Sequence, residues 1–254
     1  MNLNVSGVTF GYNGKMVLDD INFCLSGGEV LAVIGVNGAG KTTLLKCLCG
    51  ILKPSGGAVL IDSTDTARMD RQERARRISY VPQRYVDASM SVYDAVLLGR
   101  KPHMGWSLTE HDLQVTEDVL HALHLESMAL RQLSNLSGGE LQKVIIGRSL
   151  AQEPDLLLLD EPTSNLDLRN QMEVMNILNT VAKQRNVSII VAMHDINTAL
   201  RFADRFLMLK DGHIHSLAPW GDITEGLICQ VLGVDVIMGN VEGHHVVIPA
   251  PSIQ

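Results

Sequence analysis

The sequence predicts an α/β fold: a mostly parallel sheet with helices, preceded by an antiparallel β part and interrupted by a helical insertion. A glycine-rich segment near residue 40 separates a β-rich run from a helix-forming run. Four consecutive leucines at residues 156–159 suit a parallel strand that is buried on both faces. Between residues 88 and 150 the β signals vanish, and apolar spacing with capping residues indicates helices. Together these features favour an α/β layer fold with one inserted helical part.

The order of these signals predicts the domain organisation. Residues 1–87 have the pattern of short strands around one helix, and residues 151–235 alternate strand and helix. We therefore predict a single unit over residues 1–235, in which those two segments form a catalytic core. Residues 88–150 form a helical subdomain within it, and residues 236–254 form a C-terminal tail.

The glycine-rich segment matches the pattern G-x-x-x-x-G-K-[ST] in full, which predicts a P-loop NTPase core. Its glycines let backbone N–H groups curl around a phosphate, and the helix start adds about half a positive charge. Lys41 would reach the β- and γ-phosphates, and Thr42 would ligate Mg²⁺. The alternative is an ordinary glycine turn between strand and helix. The predicted ATP-binding residues are Gly35, Asn37, Gly38, Ala39, Gly40, Lys41, Thr42 and Thr43.

An acidic pair follows the leucine strand. Asp160 would lie at the carboxyl end of that strand, where open α/β sheets bind ligands. It would hold Mg²⁺ directly or through water, since Mg²⁺ prefers oxygen ligands and keeps several waters. Glu161 is placed to polarise an attacking water. The alternative is a pair of solvated loop carboxylates.

The pentapeptide Leu-Ser-Gly-Gly-Glu occurs twice, at residues 25–29 and 136–140. The first copy precedes a compact aliphatic run, so we predict a turn into a strand. The second precedes residues at helical spacing, so Ser137 is predicted to cap a helix with Glu140 at the third helical position. A serine hydroxyl and the N–H groups of Gly138 and Gly139 at a helix start also form an anion site.

These motifs, in this order, resemble the nucleotide-binding subunit of ABC transporters over about residues 5–249. By this resemblance Tyr12 stacks on adenine, and Gln83 joins the metal and catalytic site. Asp167, at the end of the segment Ser-Asn-Leu-Asp, contacts the nucleotide region, and His194 is the switch histidine beside the γ-phosphate. Each also has a simpler interpretation: a strand aromatic for Tyr12, a helix N-cap for Asp167, and a backbone-bonded strand-end residue for His194.

The resemblance also implies the assembly. Two copies would pair head to tail, so that each ATP lies between the P-loop of one copy and Ser137 of the other. This homodimer would dock on membrane permease subunits at the cytoplasmic face of the membrane and serve, indirectly, a substrate-binding protein. A groove for a permease helix is expected near Tyr85, Val86 and Met90.

Two other function classes remain open. Soluble ABC ATPases serve DNA repair, translation or iron–sulfur assembly, but the compact insertion after Gln83 favours transport. A P-loop kinase has no use for the second pentapeptide or for the pairing of Glu161 with His194. Within transporters, residues 98–103 resemble importers of iron–siderophore, haem or cobalamin type. Zinc, manganese and molybdate systems have similar cassettes, so the cargo stays open.

Composition agrees with one such cassette. The chain has 254 residues with 46% hydrophobic content and no apolar run near the ~18 residues of a membrane span. A net charge of −7 argues against general nucleic-acid binding. The four cysteines are expected to be small core residues in a reducing compartment.

The basic run and the histidines are interpreted as residues without a binding role. The basic run at residues 68–77 is expected to be a solvated helix face. The nine histidines lack zinc-like spacing, so no structural zinc is predicted. We expect one pair at residues 121 and 124 on a helix, one at 213 and 215 on a strand, and one at 244–245 in a turn.

Overall fold

The computed structural model describes residues 1–83, 89–164 and 166–250. The strands are β1 (Asn2–Tyr12), β2 (Lys15–Ser26), β3 (Val30–Ile34), β4 (Gly56–Ile61), β5 (Thr64–Asp65), β6 (Ile78–Val81), β7 (Leu156–Asp160), β8 (Ser188–Met193), β9 (Arg205–Lys210), β10 (His213–Pro219), β11 (Val236–Val241) and β12 (His244–Pro249). The helices are α1 (Lys41–Leu48), α2 (Arg71–Arg77), α3 (Val92–Leu97), α4 (Glu110–Ala122), α5 (Gly138–Ala151), α6 (Leu168–Arg185), α7 (Ile196–Phe202) and α8 (Glu225–Leu232).

The central sheet has the order β10-β9-β3-β8-β7-β6, and only the pairing of β10 with β9 is antiparallel. Every residue of β3, β7 and β8 is buried, because these strands are covered on both faces. The carboxyl ends of β3, β6, β7 and β8 therefore meet at one edge of the sheet. That edge carries the P-loop, Gln83, the acidic pair and His194.

A second, antiparallel sheet has the order β2-β1-β4-β5 and confirms the predicted fold class. Its first two strands, of 11 and 12 residues, are longer than the short strands that we expected. Register shifts along β1 explain the difference, since bulges let long strands bend and twist as they cover the core.

The insertion is helical, as predicted, and its helices start at capping residues. The Ser91 hydroxyl accepts a hydrogen bond from the N–H of Asp94, and Thr109 forms a full capping box with Asp112. The prediction that the 121 and 124 histidines share a helix face is wrong. His124 lies beyond the end of α4 with a φ of 54°, because the chain turns there into the next segment.

The C-terminal segment forms the hairpin β11–β12, whereas the sequence predicted only a tail. It is joined to α7 by Asn197, which donates to the carbonyl of Val247 (3.0 Å) and accepts from its N–H (2.8 Å). His244 and His245 both lie on β12, not in a turn as expected, and the ring of His245 is 4.6 Å from that of Trp220. Cross-strand pairing and this ring contact are long-range effects that the local sequence did not signal.

Two expectations about side-chain exposure had mixed outcomes. The basic run is a solvated face only in part: Arg68, Arg71 and Arg76 are exposed, whereas Arg74 and Arg77 are half-buried. Arg77 is ion-paired with Asp62 and Asp155. Cys47 is buried as expected, but Cys24 is exposed because it lies on the outer face of β2. Within the described segments, no helix is long and apolar enough to cross a membrane.

Candidate functional site

The P-loop forms a tight turn between β3 and α1. A Cβ atom at Gly35 would lie 2.3 Å from the carbonyl oxygen of Leu209, so only glycine allows this close approach. Lys41 begins α1, and its ammonium donates to the carbonyls of Gly35 (2.7 Å) and Val36 (3.3 Å). Burial lowers the pKa of Lys41, while the carboxylates of the neighbouring acidic pair oppose that shift. The lysine thus lies folded along the loop that would hold a phosphate.

A depression of about 540 Å³ opens at this loop. It is lined by Val17, Asn37, Gly38, Gly40, Lys41, Thr42, Thr43, Gln83 and Glu161. All of these except Val17 were predicted from the sequence, and no local pattern marked Val17. Gly35 and the buried Ala39 support the loop from behind. Tyr12 is not part of this lining: it is 45% exposed at the end of β1, edge-on to Phe10 at 4.8 Å.

Asp160 is held at both of its carboxylate oxygens. The hydroxyl of Thr42 donates to Oδ1 (3.0 Å), and the hydroxyl of Tyr80 donates to Oδ2 (3.2 Å). Asp160 is only 3% exposed, and burial raises its pKa, although the two hydrogen bonds act in the opposite direction. Burial also raises the pKa of Tyr80, which keeps its hydroxyl protonated and able to donate. Sequence reasoning missed Tyr80, whose only signal is its place three residues before Gln83.

Two other predicted residues, Gln83 and His194, converge on Glu161. The Gln83 amide donates to its Oε2 (2.7 Å), and His194 Nδ1 lies 3.7 Å from the same oxygen. The Glu161 backbone has a φ of 49°, a left-handed conformation that is rare for non-glycine residues. Such conformations cost about 1–3 kcal/mol and cluster at functional sites. Its N–H donates to the carbonyl of Ala192 on β8 (3.0 Å), which helps to fix the turn.

A second group of predicted residues surrounds the start of α5. Ser137 and Glu140 form the predicted capping box: the serine hydroxyl accepts from the N–H of Glu140 (3.3 Å), and the serine N–H donates to its carboxylate (2.7 Å). Asp167 caps α6 by accepting from the N–H of Asn170 (2.8 Å). The Asn170 side chain lies against Gly139, where a Cβ atom would approach it to 2.7 Å. Two helix starts thus form one local unit, with Ser137 and Gly138 exposed.

The two groups lie on separate parts of the chain. No hydrogen bond or ion pair joins the start of α5 to the P-loop in residues 1–83, 89–164 and 166–250. Each group is therefore built by its own elements and presents its own backbone N–H groups.

The family model described as ABC transporter matches residues 18–164, which include the P-loop, the second pentapeptide and the acidic pair. The chain belongs to the ABC transporter family. It is 52% identical to an uncharacterised ABC transporter ATP-binding protein of Methanocaldococcus jannaschii, over 98% of each chain. It is 39% identical to a hemin import ATP-binding protein of Pseudomonas entomophila, over 93% of this chain and 94% of that one.

Solved structures of ABC transporter cassettes resemble this chain. One, an inward-facing conformation of a metal-chelate type ABC transporter, superposes with a TM-score of 0.85 and 30% identity, over 98% of this chain and 96% of the other. A dimeric ATP-binding cassette in a post-hydrolysis state with ADP and Pi gives a TM-score of 0.75 and 28% identity, over 85% of this chain and 98% of the other. This chain is thus an ATP-binding cassette with ATPase activity.

Proposed function

We propose that this ATPase energises the import of a metal chelate through a membrane permease. The cargo class would be iron–siderophore, haem, cobalamin or a related metal species. The relative named for hemin import and the metal-chelate type transporter, which match nearly the whole chain, support this class. The ATPase would act as a peripheral subunit at the cytoplasmic face of the membrane.

The observation that carries the catalytic part is the convergence on Glu161. A carboxylate that faces the P-loop depression, with an amide at 2.7 Å and an imidazole at 3.7 Å, suits the activation of water beside a γ-phosphate. Glu161 would accept the proton or orient the water. Gln83 and His194 would hold that carboxylate and the terminal phosphate in position.

Nucleotide binding would involve the P-loop and one aromatic residue. Backbone N–H groups from Gly35 to Thr43 would hold the phosphates, and Lys41 would turn from the loop carbonyls to the β- and γ-phosphates. Tyr12 would stack on adenine, a role that its exposed ring supports.

The residues present fit a magnesium ion. Thr42 and Asp160 place two oxygen atoms 3.0 Å apart at the edge of the depression, and Gln83 adds an amide beside Glu161. Hard oxygen ligands with room for water are what Mg²⁺ prefers. When bound with ATP, the ion would neutralise charge on the phosphates.

The start of α5 would complete the site of a second copy. Ser137, Gly138 and Gly139 form a helix start with N–H groups suited to an anion; Ser137 and Gly138 are exposed, and Gly139 is buried. Asp167 lies in the same local unit. In a head-to-tail homodimer each ATP would lie between this helix start and the partner's P-loop. The dimeric cassette among the solved structures supports this arrangement.

Permease docking near Gln83 stays a prediction. Tyr85 and Val86 lie outside the described residues. Met90, expected to be displayed, is half-buried and packs against the core, because the turn before α3 folds it inward. It therefore offers a permease less apolar surface than the sequence suggested. A substrate-binding protein would deliver the cargo to the permease from the other side.

Co-expression with the permease genes that neighbour this gene tests the proposal. We expect the chain to co-purify with a membrane protein and to support ATP-dependent vesicle uptake from a panel of haem, ferric siderophores and cobalamin. Glu161→Gln in the same vesicles should abolish uptake. A chain that purifies without membrane partners, and whose ATPase responds to DNA or ribosomes, would favour the soluble class of ABC ATPase.

A further inference from the structure

Tyr80 is a polar side chain at the site for which the motifs give no role. It lies on β6, opposite Leu158 in the parallel pairing with β7, and its hydroxyl is 3.2 Å from Asp160 Oδ2. The other oxygen of the same carboxylate is already engaged by Thr42 at 3.0 Å. The carboxylate is therefore fixed from two sides by two different elements.

The position of Asp160 makes such a contact necessary. A carboxylate that is 3% exposed has little water to satisfy its oxygens, and an unpaired buried acceptor costs about 1–3 kcal/mol or more when charged. Thr42 is the residue expected to turn toward the ion and the phosphates. Tyr80 is then the protein group left to hold Asp160 at Oδ2.

One strand thus contacts both members of the acidic pair. Tyr80 within β6 holds Asp160, and Gln83, just beyond the same strand, holds Glu161 at 2.7 Å. A rigid parallel strand fixes the spacing between these two donors. The contact to Asp160 comes from within the sheet, whereas the contact to Glu161 comes from a residue two positions beyond the end of the strand.

We propose that Tyr80 is a positioning residue that orients the Asp160 carboxylate for Mg²⁺ through the hydrogen bond to Oδ2. This inference rests on the proposed role of Asp160 as a magnesium-site residue. Tyr80 would not contact the nucleotide. Its removal should weaken metal binding while leaving metal-free nucleotide binding intact.

The test measures metal affinity rather than turnover. In a Glu161→Gln background, where ATP persists, Mn²⁺ replaces Mg²⁺ as the probe, and free Mn²⁺ is counted by electron paramagnetic resonance with protein in excess over ATP. Tyr80→Phe keeps the ring and removes only the hydroxyl. We expect its Mn²⁺ affinity to fall about 10-fold, since partners that orient metal ligands contribute at least that much. ATP affinity in EDTA should change less than about twofold, and this value also reports that the variant is folded.

Two further variants make the result decisive. Tyr93→Phe removes the hydroxyl of a tyrosine on α3, away from the acidic pair, and should leave Mn²⁺ affinity unchanged. Asp160→Asn should remove most metal binding. If Asp160→Asn loses the metal while Tyr80→Phe matches the parent, the role of Tyr80 is overturned and the magnesium assignment survives. If Asp160→Asn binds Mn²⁺ as the parent does, it is the magnesium assignment that fails.

Discussion

The same five residues, Leu-Ser-Gly-Gly-Glu, adopt two different structures in this chain. At residues 25–29 they close β2 and turn into β3, with Gly28 at a φ of 74°. At residues 136–140 they start α5. One contact is common to both: the serine N–H donates to the glutamate carboxylate, at 2.9 Å in the first copy and 2.7 Å in the second. The local hydrogen bond therefore does not decide the structure.

The residues that follow each copy decide it. After the first, five consecutive aliphatic residues form β3, which is buried on both faces. After the second, the chain continues as the helix α5, whose C-terminal half at residues 144–147 and 149–151 is buried on all sides. The first copy is also covered, since Lys183 donates to the carbonyl of Gly28 (3.1 Å) and Asn186 lies against Gly27. Both serines are exposed, but Gly27 and Gly28 are half-buried, whereas Gly138 is exposed at a helix start. The second copy is therefore the better placed of the two to meet a ligand.

The largest expected effect concerns a third glutamate, outside both copies. Glu161→Gln should slow ATP hydrolysis by roughly 10²–10⁴-fold while leaving ATP binding intact, because general-base contributions have that size. Glu29→Gln, in the covered copy, should leave turnover near the parent value. Steady-state phosphate release and a nucleotide-binding titration measure both. Hydrolysis by Glu161→Gln within threefold of the parent would move the catalytic role elsewhere, with His194 next.

A matched pair of serine substitutions separates the two copies directly. Ser137→Arg should lower ATPase activity by about 10²–10³-fold, the size seen when a donor to a developing charge is lost. It should not change ATP binding by the monomer. Ser26→Arg places the same side chain at the exposed serine of the first copy, where activity should persist. Equal losses in the two variants would mean that the second copy has no special role.

Substitutions of Tyr12 separate ATP binding by a single chain from the pairing of two chains around ATP. Tyr12→Ala should weaken ATP binding by about 1–3 kcal/mol, the value of base–aromatic stacking, and Tyr12→Trp should retain it. Fluorescence titration with an ATP analogue on the monomer measures this. The loss should appear without any partner chain, unlike the effect of Ser137→Arg. Unchanged affinity in Tyr12→Ala would leave the ring as a strand aromatic packed on Phe10.

The smallest expected difference lies between two glycines. Gly28→Ala should lower the free energy of unfolding by about 1–2 kcal/mol, because a left-handed φ is costly for any side chain. Its Cβ would also lie 3.3 Å from the carbonyl of Ala182. Gly138→Ala has open space in a helix, so it should be neutral or stabilising by up to about 1 kcal/mol. Urea denaturation compares them, and equal losses would contradict the different folds of the two copies.

Much of the site could be predicted from the sequence because its residues belong to local patterns. The P-loop, the buried leucine strand and the capping box at Ser137 depend on neighbours within a few positions. The sequence did not predict Tyr80 and Val17 as site residues, because their roles depend on strands that pair at long range. The sequence did not predict the hairpin β11–β12 for the same reason, since it contacts Asn197 and Trp220 on elements that are distant in sequence.

The central claim is that each ATP is shared between the P-loop of one copy and Ser137 of another. Two differently tagged chains, both carrying Glu161→Gln, test it: one also carries Lys41→Ala, and the other also carries Ser137→Arg. With ATP and Mg²⁺, neither chain should dimerise alone, because each homodimer has two damaged sites. Mixed together, they should form a heterodimer visible by native mass spectrometry, since it contains one intact site made from the second chain's P-loop and the first chain's Ser137. Strong dimers of either chain alone, or a mixture that stays monomeric while the Glu161→Gln parent dimerises, would contradict the shared site.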